Sequence, residues 1–216
     1  MKRIMLFLAA TAFALGVGAS SAMAGAVGGA KEPIDWSGAH WGISGGLGWG
    51  TSDMRNNFGI DTGNYDLRGG LIGLTGGYNW QLANIILGVE ADASLSTIKG
   101  STLKFCGSGC QTDLRWLGTL RAKAGYPIGK FMPYATGGLA IGDVKASVAT
   151  LPDHSKTQVG WTAGAGLAYA FTTGFSVKAE YLYTDLGSFS FSGTGVTIRV
   201  KADEFQTARI GLDFAF

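Results

Sequence analysis

The chain has 216 residues, with 17 Lys and Arg against 15 Asp and Glu, for a formal net charge of +2 at pH 7. Only 15% of residues are charged, below the roughly 25% of an ordinary soluble domain, while 46% are hydrophobic and 36 are glycine. This balance excludes the basic face that nucleic-acid binding needs, and 2 cysteines with 2 histidines leave little for metal chemistry.

At the N-terminus, Met1-Lys2-Arg3 precedes an apolar run from Ile4 to Val17 and an exit at Ala22-Met23-Ala24. A basic start, an apolar centre and small residues at the exit form a secretory signal peptide. The run falls short of the about 20 residues that a spanning helix requires. Residues 1–24 are therefore expected to be removed, residues 25–35 to form a flexible periplasmic lead, and residues 36–216 to form one domain. Losing Lys2 and Arg3 leaves 15 basic and 15 acidic residues, so no nucleic-acid partner is expected.

Beyond the signal, no stretch of 18 apolar residues is free of charges and glycines. In lipid only helices and closed barrels satisfy the backbone, so an exported apolar chain without a spanning helix points to a barrel. Eight segments alternate between apolar and small or polar residues, the period-two mark of a strand with two unlike faces. They run His40–Gly50, Gly69–Trp80, Ile85–Leu95, Thr112–Tyr126, Met132–Gly142, Gln158–Phe171, Phe175–Thr184 and Gln206–Phe216. The third sets Ile85, Leu87, Val89 and Leu95 outward against Gly88, Glu90 and Asp92; the fourth sets Leu114, Trp116 and Leu120 outward against Asp113, Arg115 and Arg121. The last carries Ile210, Leu212, Phe214 and Phe216 on one face.

Connections alternate in length. Residues 81–84, 127–131 and 172–174 are short, whereas 51–68, 96–111, 143–157 and 185–202 are long. Outer-membrane barrels show this pattern of tight periplasmic turns and longer external loops. The fold expected is an all-β, eight-stranded antiparallel up-and-down transmembrane barrel with both termini periplasmic. Aromatic residues fall near both strand ends, where a membrane girdle would lie.

The inward face then carries Glu90, Asp92, Asp113, Glu180 and Asp213 with Arg115, Arg121, Lys123, Lys178 and Arg209. A barrel of eight strands has room for side chains and little more. An ion-pair network filling the lumen is the first reading; a narrow polar pore for small solutes is the alternative. Cys106 and Cys110 lie in the second long loop and are expected to form a disulfide, since a lone CxxxC without a nearby His makes a poor metal site. His40 and His154 belong to no catalytic constellation. Asp153-His154-Ser155 holds the residue types of a triad, but adjacent residues cannot converge as one. No enzyme activity, cofactor or metal is expected. Two further readings invert or extend the barrel: a soluble lipocalin-like binder with its aliphatic face inward, and a lipid-acting membrane enzyme.

Several motifs carry a family resemblance. They are Trp41-Gly42-Ile43-Ser44-Gly45-Gly46, Gly76-Gly77-Tyr78-Asn79-Trp80-Gln81, Leu87-Gly88-Val89-Glu90-Ala91-Asp92, Pro133-Tyr134-Ala135-Thr136-Gly137-Gly138, Lys178-Ala179-Glu180-Tyr181-Leu182-Tyr183 and Arg209-Ile210-Gly211-Leu212-Asp213-Phe214-Ala215-Phe216. In this order they resemble the small outer-membrane β-barrel proteins of alphaproteobacteria, the outer-membrane immunogenic or porin-family surface antigens. The resemblance implies an abundant protein of the cell outer membrane, in contact with lipid and lipopolysaccharide. It implies a role in envelope integrity, and contact with host surfaces or haem through external loops. It also implies that the terminal residues Ile210, Leu212, Phe214 and Phe216 are read by the barrel-assembly machinery.

Overall fold

Alternating sequence leaves the chain one cheap way to bury its ladder ends, which is to close the sheet on itself. A computed structural model describes residues 34–56, 65–102, 110–148, 154–193 and 196–216. The expected signal peptide and most of the lead lie outside the described residues, as do Cys106 and the side chains of Cys110 and His154.

The strands are β1 (Gly38–Asn56), β2 (Tyr65–Leu82), β3 (Ile85–Thr102), β4 (Cys110–Gly125), β5 (Phe131–Val148), β6 (His154–Thr172), β7 (Phe175–Asp185), β8 (Ser188–Gly193) and β9 (Val196–Ala215). Neighbours in the ring β1-β2-β3-β4-β5-β6-β7-β9 pair antiparallel, and β1 pairs back onto β9. The result is a closed barrel of eight staves. The short β8 follows β7 after Gly187, at φ 71, and pairs with β9 between Val196 and Lys201.

Most staves are longer than the sequence reading made them, with β1 at 19 residues and β9 at 20. A tilted transmembrane strand needs about 9–11 residues. The excess lies at the long-loop end. There β1 continues to Asn56 and β2 starts at Tyr65, so part of the expected loop 51–68 is paired ladder. Nothing in these stretches forces an end: no proline interrupts them, and the hairpin partner continues alongside.

The outward face is aliphatic and aromatic. Leu95 is 70% exposed and Ile72 68% exposed, with Leu74, Leu120, Leu139 and Ile210 similarly bare. A continuous belt of this kind is the surface of a protein solvated by lipid. Rings meet along its short-turn edge, where Trp41 stacks on Phe214 at 5.0 Å and Phe175 lies 5.3 Å from Phe214. Toward the long loops, Trp161 meets Tyr183 at 5.3 Å.

One strand departs from the expected phase. Between Leu114 and Trp116 the β4–β5 register shifts, and so does the β3–β4 register between Leu95 and Ile98. Such a bulge adds one residue to one strand and reverses the side that follows it. Leu114 therefore turns inward and is buried, while Arg115 and Trp116 both face outward. This corrects the reading that put Leu114 outside and Arg115 inside.

The lumen is also less uniformly polar than the alternation predicts. Near the long loops, Leu67, Leu71, Ile98, Leu114, Leu117, Val144, Leu182, Leu186 and Phe205 point inward and are buried. At the short-turn end, Trp36, Ile86, Met132, Tyr134, Ala168 and Ala170 form a second apolar cluster, with Ile34 against it. Trp36 precedes β1, so the chain enters the barrel mouth before it becomes a strand. Its amide donates to Gln81 Oε1 at 3.0 Å, and Asn79 Nδ2 donates to its carbonyl at 3.2 Å. The Asp35 carboxylate accepts the Ser37 hydroxyl at 2.6 Å and the Ser37 amide at 2.9 Å, fixing the bend at Trp36. Those two bonds hold the Asp35 carboxyl below its ordinary pKa.

Candidate functional site in the barrel lumen

Between the two apolar layers lies a layer of charge. Its members come in pairs two residues apart, which a strand places on one face: Glu90 and Asp92 on β3, Arg121 and Lys123 on β4, Lys178 and Glu180 on β7. Arg209 and Asp213 on β9 complete it. All eight are buried.

Arg121 is the centre of one half. Its Nη2 donates to Glu90 Oε1 at 2.7 Å and to Asp92 Oδ2 at 3.0 Å, and its Nη1 donates to Glu180 Oε1 at 2.8 Å. Arg209 completes the same acids from another wall, reaching Asp92 Oδ1 and Glu180 Oε1 at 3.1 Å each. Thr119 donates its hydroxyl to Asp92, and Tyr134 donates to Glu180 Oε2 at 3.1 Å.

Glu90 is the centre of the other half. Its Oε2 receives Lys178 Nζ at 3.1 Å and Lys123 Nζ at 3.5 Å, and His40 Nε2 stands 3.5 Å away. Lys178 also pairs with Asp213 Oδ2 at 3.2 Å. The Lys123 ammonium lies 5.4 Å from the centre of the Tyr134 ring. Four acids therefore face four bases in one connected network, and buried charges of this kind persist only when fully paired.

The pairing crosses the barrel. In the ring of eight staves, β3 and β7 stand opposite each other, so the Lys178–Glu90 contact bridges facing walls. Arg121–Glu180 and Arg209–Asp92 each join walls three staves apart. Small residues make room for these long side chains. A Cβ on Gly211 would lie 2.9 Å from Lys178 Cε, and one on Gly46 would lie 2.9 Å from Arg209 Cγ.

Of the ten charged residues read as lumen partners from sequence, the structure brings eight together. Arg115 is displaced by the bulge; its side chain is 63% exposed and lies 4.0 Å from Asp143. Asp113 shares the outward side of the ladder, set between Lys99 of β3 and Lys145 of β5 in register. Tyr134, Thr119 and His40 also join the layer, though none was read as a partner of the charges. Their signal was parity: each sits on the inward side of a strand whose phase was already assigned. Of the terminal residues, Ile210, Leu212 and Phe214 lie on the outer face of β9, and Phe216 is 82% exposed with its amide donating to Ala39 O at 3.0 Å. Among the described residues no cluster of His, Cys, Asp and Glu could hold a metal ion.

Comparison with known proteins agrees with this architecture. The family described as outer membrane protein β-barrel domain matches residues 9–216. The 31 kDa outer-membrane immunogenic protein of Brucella melitensis is 36% identical over 209 residues, covering 85% of this chain and 86% of that one. The 22 kDa outer membrane protein of Rhizobium leguminosarum bv. viciae is 36% identical over 186 residues, covering 86% and 81%. Among solved structures, the outer membrane protein OprG from Pseudomonas aeruginosa superposes with a TM-score of 0.57 at 16% identity, over 83% of this chain and 98% of that one. That likeness speaks to the fold alone.

Proposed function

The chain belongs to the outer membrane β-barrel family of small alphaproteobacterial surface proteins, and from that premise we propose that it is a non-catalytic structural barrel with a closed lumen. It strengthens the cell outer membrane and holds its long hairpins at the cell surface. In this reading the short turns and both termini are periplasmic. The barrel-assembly machinery recognises the outward terminal row Ile210, Leu212, Phe214 and Phe216, and Cys106 pairs with Cys110 in the oxidising envelope.

The observation that carries the proposal is the set of charge pairs that span facing walls, above all Lys178 to Glu90 at 3.1 Å. A conducting barrel keeps the charges of its lining in water along an open channel. Here the charges neutralise one another across the axis, with apolar side chains packed at either end. Opening a path would break several buried pairs together, and each broken pair costs several kcal/mol.

The test of the structural role is made in cells. A strain lacking the chain is expected to admit a large hydrophobic dye that the parent excludes, and wild-type protein supplied in trans should restore exclusion. An unchanged barrier in the deletion strain would overturn the role.

A further inference from the structure

The short-turn mouth contains a recess that the charged layer and the Trp36 cluster do not fill. About 30 Å³ there is open to a water molecule, bounded by Trp36, His40, Asn79, Lys123, Met132 and Asp213. Four of these residues are buried: Trp36, His40, Asn79 and Asp213. Each carries a polar atom without a hydrogen-bond partner in the protein, namely Trp36 Nε1, both ring nitrogens of His40, Asn79 Oδ1 and Asp213 Oδ1. Orphaned polar atoms in a protein interior are costly, and five of them on four residues lining one recess form a pattern to be explained.

The chemistry of the orphans selects the occupant. Trp36 Nε1 can only donate, while Asn79 Oδ1 and Asp213 Oδ1 can only accept; a neutral His40 offers one of each. A halide would satisfy the indole but meet two oxygens, one of them a carboxylate. A metal cation would suit the oxygens but meet the indole N–H, with the Lys123 ammonium beside it. Only a molecule that both donates and accepts serves all four. A hydrated site needs about 10–15 Å³ per water and two to four polar partners for each, so this volume takes about two waters.

We propose that the recess is a built internal water site: about two exchangeable water molecules that join Trp36, Asn79 and Asp213 to His40 at the lower edge of the charged layer. The recess reaches the rim of the β6–β7 turn at Thr172 and Thr173. Its waters therefore exchange with the aqueous phase on that side. At the other end, the buried leucines, Ile98 and Phe205 separate the charged layer from the long loops. Water from this recess meets the layer at His40 and Asp213. The site stands whether or not the barrel conducts.

The experiment is solution or solid-state NMR on the full chain refolded in lipid, with tryptophan labelled at the indole nitrogen and the Trp36 signal assigned by its disappearance in Trp36→Phe. The expected result is a direct water cross-peak on the Trp36 indole proton, reduced several-fold in Asn79→Leu, which keeps the volume and removes the acceptor. The Trp36 indole is assigned independently by through-bond correlation from its own backbone in the uniformly labelled wild-type chain, so a folding defect in either substitution leaves the test intact. Absence of that cross-peak in the folded wild-type barrel would overturn the proposal. So would a Trp36 signal that moves saturably with added chloride or sodium, since that occupant would be an ion.

Discussion

Glu90 and Arg121 each serve three charged partners, so the loss of one side chain strands several others. Arg121→Ala leaves Glu90, Asp92 and Glu180 short of a donor inside the barrel. Removing one member of a buried pair costs about 3–5 kcal/mol, and a loss of that size is expected in the urea unfolding of the lipid-reconstituted barrel. Arg115→Ala, exposed beside Asp143, should stay within about 0.5 kcal/mol; equal effects for the two would refute the assignment of the layer. Glycine gives a second contrast. A Cβ at Gly46 would run into the Ala208 carbonyl and lie 2.8 Å from Arg209 Cα, whereas one at Gly76 meets only the His40 carbonyl, at 4.0 Å. Gly46→Ala should therefore lower the folded fraction in a heat-shift gel assay while Gly76→Ala leaves it unchanged. At this scale the charged layer was legible. Glu90 with Asp92, Arg121 with Lys123 and Lys178 with Glu180 repeat at a spacing of two, in segments whose opposite face is aliphatic, so parity alone set their direction. The unpartnered atoms around Trp36 were not legible, because their convergence depends on where an irregular segment enters the mouth.

The strand is the scale at which the alternating pattern succeeds and at which it fails. Turn chemistry and period two located eight staves and their short and long connections. The β4 bulge escaped because inserting one residue leaves the period-two pattern intact on either side of it: Trp116 stays outside by either count, while Asp113, Leu114 and Arg115 trade sides. Nitroxide labels at 114, 115 and 116 in lipid should therefore report one shielded and two outward positions, with 116 the most accessible to oxygen. Strict alternation, with 115 shielded and 114 in lipid, would contradict the bulge. The inward apolar residues escaped for a related reason. Leu71 follows the chain just before Ile72, Ile86 just after Ile85, Leu117 just after Trp116 and Met132 just after Phe131. In each doublet one member faces lipid and the other the lumen. Such doublets are the sequence signal that both faces are apolar at that level, and they mark the two layers that enclose the charges.

The whole barrel is a cylinder whose outside is solvated by acyl chains and whose inside is filled in three layers: apolar, ionic, apolar. Membrane insertion does not require the filling; a wider barrel would hold water there. With eight staves the interior is narrow enough for side chains from opposite walls to meet, and the closure proposed for the lumen rests on strand number together with long charged residues placed opposite small ones. The four acids and four bases leave the layer without net charge when His40 is neutral, so the layer as a whole favours neither sign of ion. The most direct measurement is the current through a planar lipid bilayer holding the purified, refolded full-length chain at 1 M KCl. Silence, or at most brief irregular flickers, is the predicted trace; stable unitary steps that scale linearly with voltage would contradict a lumen sealed by its own side chains.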